Sequence, residues 1–129
     1  MKENPDAIYY PFVGLRGVAF SEAVRVGGLL FLSGQIGLDA SGKLAPGGIV
    51  AETRQTMANM AAVLERHGSS LDRVVKVTVM MADMQEWAAM NAEYVKSFTR
   101  NLPARSAFGV RGLAMGARVE IECIALATG

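Results

Sequence analysis

Val119-Glu120-Ile121-Glu122-Cys123, close to the C-terminal end, alternates apolar and charged side chains one by one. Successive side chains of a strand point to opposite faces, so the stretch predicts a strand with Val119, Ile121 and Cys123 on one side and Glu120 and Glu122 on the other. At about 3.3 Å of rise per residue, the two carboxylates stand about 6.5 Å apart on one face. Upstream, Leu102-Pro103-Ala104-Arg105-Ser106-Ala107 places a cation just after a helix breaker. A guanidinium grips a carboxylate in a two-pronged fork, so an arginine near two carboxylates suggests a site that recognises a small anion and holds a base beside it. The same spacing fits a solvated strand face with surface ion pairs, and spacing alone favours that plainer reading.

Working outward, residues 20–26 and 29–33 predict two strands joined by Gly27-Gly28, a dipeptide whose residues can both take the positive φ of a tight hairpin. Asp39-Ala40-Ser41-Gly42-Lys43 and Pro46-Gly47-Gly48 read as turn and loop. Ile49, Thr53, Met57, Met60 and Leu64 then recur at helical spacing, and the helix should stop near His67-Gly68, where basic residues suit the dipole and glycine suits a left-handed residue. Residues 74–81 are rich in β-branched side chains and predict a central strand with Val75, Val77, Val79 and Met81 on one face. Asp83-Met84-Gln85-Glu86 has the form of a capping box, and Trp87, Asn91, Tyr94 and Phe98 fall on one face of the helix that follows. With final strands at 106–110 and 117–127, the order is ββαβαββ: an α+β fold in which two helices cover one face of a mixed sheet. The other face, with Glu120, Glu122 and Lys76, must meet water or another subunit.

The 129 residues predict one domain spanning 1–129, large enough to bury a core without disulfide or metal. Its 51% hydrophobic content exceeds the usual apolar share, and a homo-oligomer is the simplest cover for the surplus. Thirteen basic and twelve acidic residues give a net charge of +1, with no Lys/Arg run, so no nucleic-acid footprint is visible. One cysteine excludes an internal disulfide, and one histidine excludes zinc-type Cys/His clusters. Residues 1–12 contain no apolar targeting stretch, and no apolar run approaches membrane-spanning length, so a cytoplasmic protein without a membrane partner is expected. Trp87 and the eight methionines read as core or interface filling, and Cys123 as a small buried apolar residue.

The stretches Glu22-Ala23-Val24-Arg25-Val26-Gly27-Gly28-Leu29-Leu30-Phe31-Leu32-Ser33-Gly34-Gln35-Ile36, Leu71-Asp72-Arg73-Val74-Val75-Lys76-Val77-Thr78-Val79, Asn91-Ala92-Glu93-Tyr94, Pro103-Ala104-Arg105-Ser106 and Val119-Glu120-Ile121-Glu122-Cys123-Ile124-Ala125 resemble, in this order, the Rid family (RidA/YjgF-like) of reactive-intermediate imine deaminases, also known as endoribonuclease L-PSP-like. The resemblance covers residues 20–127. It implies a chorismate-mutase-like fold, a homotrimer whose sheets line a central barrel, and three active sites in clefts between subunits. The implied reaction is hydrolysis of enamine or imine intermediates, such as aminoacrylate, to a 2-oxo acid and ammonia, with no cofactor and no metal. By the same resemblance Arg105 binds the substrate carboxylate, Glu120 positions or activates the attacking water, and Ser33 and Gly34 lie against the ligand. Asn91 joins them, although a purely structural amide accounts for it equally well.

Two positions depart from the pattern of many members. Ala19-Phe20-Ser21 stands where Pro-Tyr-Ser is common, which removes a phenolic hydroxyl, and Ala107 stands where a cysteine often follows Arg-Ser. With Phe20 and Ala107 lining the substrate cleft, it should be more apolar and its preferred imine larger or aromatic. Two other classes remain. A non-catalytic module binding a 2-oxo acid or a similar small metabolite fits Arg105, Ser33 and Gly34, with Phe20 marking lost chemistry. A ribonuclease or translation inhibitor fits poorly, because a lone His67 cannot supply a paired acid and base.

Overall fold

The computed structural model describes residues 6–14 and 16–128. The reading of the first twelve residues as free of a targeting stretch falls in part outside them. Six strands form one sheet: β1 (Ala7–Tyr10), β2 (Ala23–Val26), β3 (Leu29–Gln35), β4 (Val74–Met81), β5 (Ala104–Gly109) and β6 (Val119–Leu126). They lie in the order β1-β2-β3-β6-β4-β5, and every neighbouring pair is antiparallel except β4 and β5. The α+β class and mixed sheet hold, but the order is βββαβαββ. The added β1 pairs with β2, from Ala7 against Val26 to Tyr10 against Ala23. Its four residues carry too little periodicity to announce a strand; pairing makes them one.

Helix α1 (Ile49–Arg66) buries Ile49, Thr53, Met57, Met60 and Leu64, the stripe its spacing predicts. Val63 and the acidic Glu52 are buried on the same helix. Glu52 is satisfied by accepting the Arg118 backbone N–H at 2.9 Å. Gly68 closes the helix end with φ 80°. Arg66 and His67, placed there by dipole reasoning, act more specifically than a dipole requires, since both grip the buried Glu22, Arg66 Nη2 at 2.6 Å and His67 Nε2 at 2.7 Å. Burial pushes the Glu22 pKa up, but these hydrogen bonds and charges outweigh it, so the carboxyl titrates below its ordinary value. Helix α2 (Trp87–Tyr94) is shorter than its apolar stripe suggests and passes into a 3-10 turn at Val95–Ser97, leaving Phe98 beyond it. Asp83 accepts the Gln85 N–H at 2.9 Å, yet Glu86 does not return the bond, because Arg118 Nη1 holds both its oxygens at 3.0 Å.

Both helices contribute to one core with Leu30, Leu32, Val77, Val79, Ile121 and Cys123 from the sheet. Val75 is an exception to the predicted face: it is exposed while Val74 is buried. A register shift between Val74 and Lys76 against β6 inserts one extra residue, and such a bulge turns its side chain off the alternation. In the β2–β3 hairpin only Gly27 takes positive φ, at 55°. The opposite face of the sheet exposes Tyr9, Val26, Leu29, Phe31, Phe108 and Leu126. Among the described residues, no helix is long and apolar enough to cross a membrane.

Candidate functional site

Arg105 sits on β5 opposite Val77 of β4. Paired residues share a face, so Arg105 points to the helix side of the sheet, where Val77 is fully buried. There its guanidinium lies over two rings of α2, 5.2 Å from the Trp87 centroid and 4.8 Å from that of Tyr94. Contacts of this kind are worth about 0.5–2 kcal/mol and hold a guanidinium flat while leaving its N–H edges available. Burial pushes the Tyr94 phenol above its ordinary pKa, with the Arg105 charge pulling the other way. No hydrogen bond of good geometry reaches the buried Tyr94 hydroxyl, so ring-face contact is what joins the two side chains. Among the described residues Arg105 forms no ion pair. It opens instead onto a cleft of about 220 Å³ shared with Asn91, Val95, Leu102 and Pro103. Asn91 is half-buried, and its side-chain amide makes no hydrogen bond among the described residues. Ala107, two residues along the same strand, shares this face and packs on the core.

Glu120 lies on the other face. It pairs with Met80, and Glu122 with Thr78, so both carboxylates stand on the side without helices, together with Lys76. Lys76 donates to Ser106 Oγ at 3.1 Å. Within one chain, therefore, the arginine is not beside the carboxylates, as linear proximity suggested: the parallel register of β5 on β4 puts it across the sheet. Glu120 is half-buried and, among the described residues, has neither ion pair nor hydrogen bond. Burial raises its pKa, and the negative charge of Glu122 raises it further. Its carboxylate occupies the space that a side chain at position 34 would fill: a Cβ on Gly34 would collide with Glu120 Oε2. Gly34 thus seats the carboxylate itself. A register shift between Leu32 and Gln35 bulges β3 at this point and brings its backbone onto Glu120.

Ser33, in the same bulge, donates its hydroxyl to the Ser21 carbonyl at 2.6 Å and so anchors the segment carrying Phe20. Phe20 precedes β2 rather than belonging to it, and it lines the Glu120 cleft with Phe12, Gly34, Ile36, Leu38 and Ala114. Phe12, Leu38 and Ala114 were not legible as site residues, since they come from three separate loops. Trp87 and Tyr94 could have been found: they are seven residues apart, two helical turns, and so share a helix face, but an aromatic stripe reads first as core filling. Burial and then the Glu122 charge push the Cys123 thiol up to about 12, which leaves it unreactive. Among the described residues, no three of His, Cys, Asp and Glu are placed to hold a metal ion.

The sequence profile of the family described as endoribonuclease L-PSP matches residues 16–127. The chain belongs to that family. A mouse relative, named 2-iminobutanoate/2-iminopropanoate deaminase, is 44% identical over 108 residues, which is 83% of this chain and 80% of the relative. The human protein of the same name is 41% identical over 83% of this chain and 79% of its own. Among solved structures, the yeast protein YEO7 superposes with a TM-score of 0.84 at 39% identity, covering 93% of this chain and 94% of that one. In this chain Arg105 and Glu120 line separate clefts on opposite faces of a single sheet.

Proposed function

We propose that this chain hydrolyses 2-imino acids and their enamine tautomers to 2-oxo acids and ammonia. It does so in the cytoplasm as a homotrimer whose sheets line a central barrel, with active sites in clefts between subunits and without cofactor or metal. The observation that carries this reading is the pair of ionic groups without an ion-pair partner among the described residues, the Arg105 guanidinium and the Glu120 carboxylate, displayed on opposite faces of one sheet. Opposite faces of one chain meet only when one copy packs against another, and the exposed apolar face at Phe31, Leu29 and Phe108 supplies surface for that packing. The mouse and human deaminases support the chemistry.

In this mechanism the Arg105 fork receives the substrate carboxylate while Trp87 and Tyr94 hold the guanidinium in plane. Asn91 turns its free amide to the bound acid. Glu120 of a neighbouring copy takes a proton from water as the oxygen bonds to the imine carbon. The imine nitrogen gains a proton, giving a tetrahedral carbinolamine. The C–N bond then breaks with its electrons going to nitrogen, and the hydroxyl proton, lost as the C=O forms, passes to that nitrogen, which leaves as ammonia. One water is consumed, one ammonia leaves, and no redox change occurs. Phe20 has no hydroxyl to supply the nitrogen's proton, so the acid form of Glu120, favoured by burial, returns the proton it took.

The test couples an amino-acid oxidase, which makes the imine, to semicarbazide, which traps whatever is not hydrolysed. Faster imine loss, abolished in Arg105→Ala, is expected. The missing Phe20 hydroxyl favours one second reading, a 2-oxo acid sensor. Binding of a stable 2-oxo acid with no acceleration for any imine would install that reading instead. A ribonuclease reading has little support, since the single histidine is held by Glu22 at the end of α1.

Two further results are expected. Gly34→Ala should lower kcat about 10-fold to 100-fold, because the new Cβ evicts the carboxylate from its seat and an ångström of misplacement is worth about that much. Circular dichroism checks that the fold survives. The acid limb of the kcat/KM profile should lie above the ordinary carboxyl value of 4.5, since the carboxylate form acts as base and its pKa is raised. Glu122→Gln removes the lesser of the two causes of that rise, so the limb should move to lower pH; a parent limb at or below the ordinary carboxyl value would show that Glu120 is not the titrating base.

A further inference from the structure

We infer that the cleft beside Glu120 is a subsite for an aromatic side chain, so that the protein prefers 2-imino acids bearing a benzyl group over those bearing a methyl group. The inference rests on the deaminase reading and names the substrate class of that site. The cleft measures about 380 Å³, against about 220 Å³ beside Arg105. A cavity of about 150 Å³ is enough for benzene, so a phenyl ring fits with space left for the reacting carbon near the carboxylate, whereas a methyl group leaves most of the cleft to water.

The lining has the matching chemistry. Phe12 and Phe20 meet edge to face, with centroids 5.5 Å apart at 84°, and Ile36, Leu38 and Ala114 complete an apolar wall. A third ring extends such an edge-to-face corner favourably. Phe20 is 58% exposed, an uncovered ring on the rim that a bound side chain would shield. The polar groups in the wall are already engaged. Asn59 donates to the Ile36 and Leu38 carbonyls at 3.0 and 2.9 Å and accepts from Gln55 at 2.8 Å, and Gln35 turns its amide to the Ser33 carbonyl at 3.5 Å. Glu120 is the only charged group on the lining and, among the described residues, its one polar side chain without a hydrogen bond. Away from Glu120, the wall offers a polar substrate side chain few open partners, whereas an apolar one meets Phe12, Phe20, Ile36, Leu38 and Ala114.

The experiment measures kcat/KM for imines made from phenylalanine, leucine and alanine, and binding of phenylpyruvate and pyruvate by calorimetry. Burial of the ring should favour the phenylalanine-derived imine over the alanine-derived one by about 10-fold to 100-fold, with leucine between. Ala114→Leu, which adds bulk to the lining, and Phe12→Ser, which removes one ring of the wall, should each bring that ratio toward one; either folded variant suffices. A wild-type ratio at or below one, with clear turnover of the alanine-derived imine, overturns the subsite and leaves the deaminase reading standing. If no imine is turned over, the deaminase reading fails and calorimetry decides the subsite: tighter binding of phenylpyruvate than pyruvate supports it, and equal or weaker binding overturns it.

Discussion

Arg105→Ala is expected to lower kcat/KM for 2-imino acids by about 30-fold to 4,000-fold, the range that follows from truncating one partner of a hydrogen-bonded ion pair at about 2–5 kcal/mol and tenfold per 1.4 kcal/mol. The loss should fall mainly on KM, because the carboxylate is gripped equally in the ground and transition states, and the Kd of a stable 2-oxo acid should rise by a similar factor. Arg105→Lys should recover only part of it. Lysine keeps the charge but offers neither the fork nor a flat cation to lie on Trp87 and Tyr94. Thermal stability should change little, since Arg105 is on an edge strand and loses only ring contacts worth about 0.5–2 kcal/mol. A full-strength Arg105→Ala enzyme would remove Arg105 from the site.

Glu120→Gln should lower kcat by about 100-fold to 10,000-fold while leaving 2-oxo acid affinity close to that of the parent, the signature of a lost general base. The amide has the carboxylate's shape and fits the same seat against Gly34. The sign of the stability effect separates this from structural damage. A carboxyl whose pKa is raised by folding binds its proton more tightly in the native state, so above that pKa its charge costs the fold stability. Removing the charge should therefore leave Tm at neutral pH unchanged or higher, measured by calorimetry beside the rate assay. A large drop in both kcat and Tm would instead point to a structural carboxylate.

Much of the fold could be read before any coordinates. The stripe from Ile49 to Leu64, the β-branched run of β4 and the alternation of β6 all became what their periods predict. Each period is a property of residues within a turn or two, and each face is apolar enough to find the core unaided. Where a feature depended on a distant partner, the pattern misled. Val75 left its predicted face because β4 bulges against β6, and Ala7–Tyr10 became a strand because β2 lay beside it. The site divides in the same way. Arg105, Glu120, Gly34 and Asn91 are marked by motif, but Phe12, Leu38 and Ala114 are gathered from separate loops.

By itself, then, the sequence determined the α+β class, the buried stripe of α1, the charged face of β6 and membership of the L-PSP family. These follow from local alternation, helical spacing and ordered motifs. Only the tertiary structure decided that Arg105 lies on one face of the sheet, clamped by Trp87 and Tyr94, and Glu120 on the other, seated on Gly34. The physical reason is register: a strand's neighbours choose which side each residue faces, and a shift of one residue would exchange the faces.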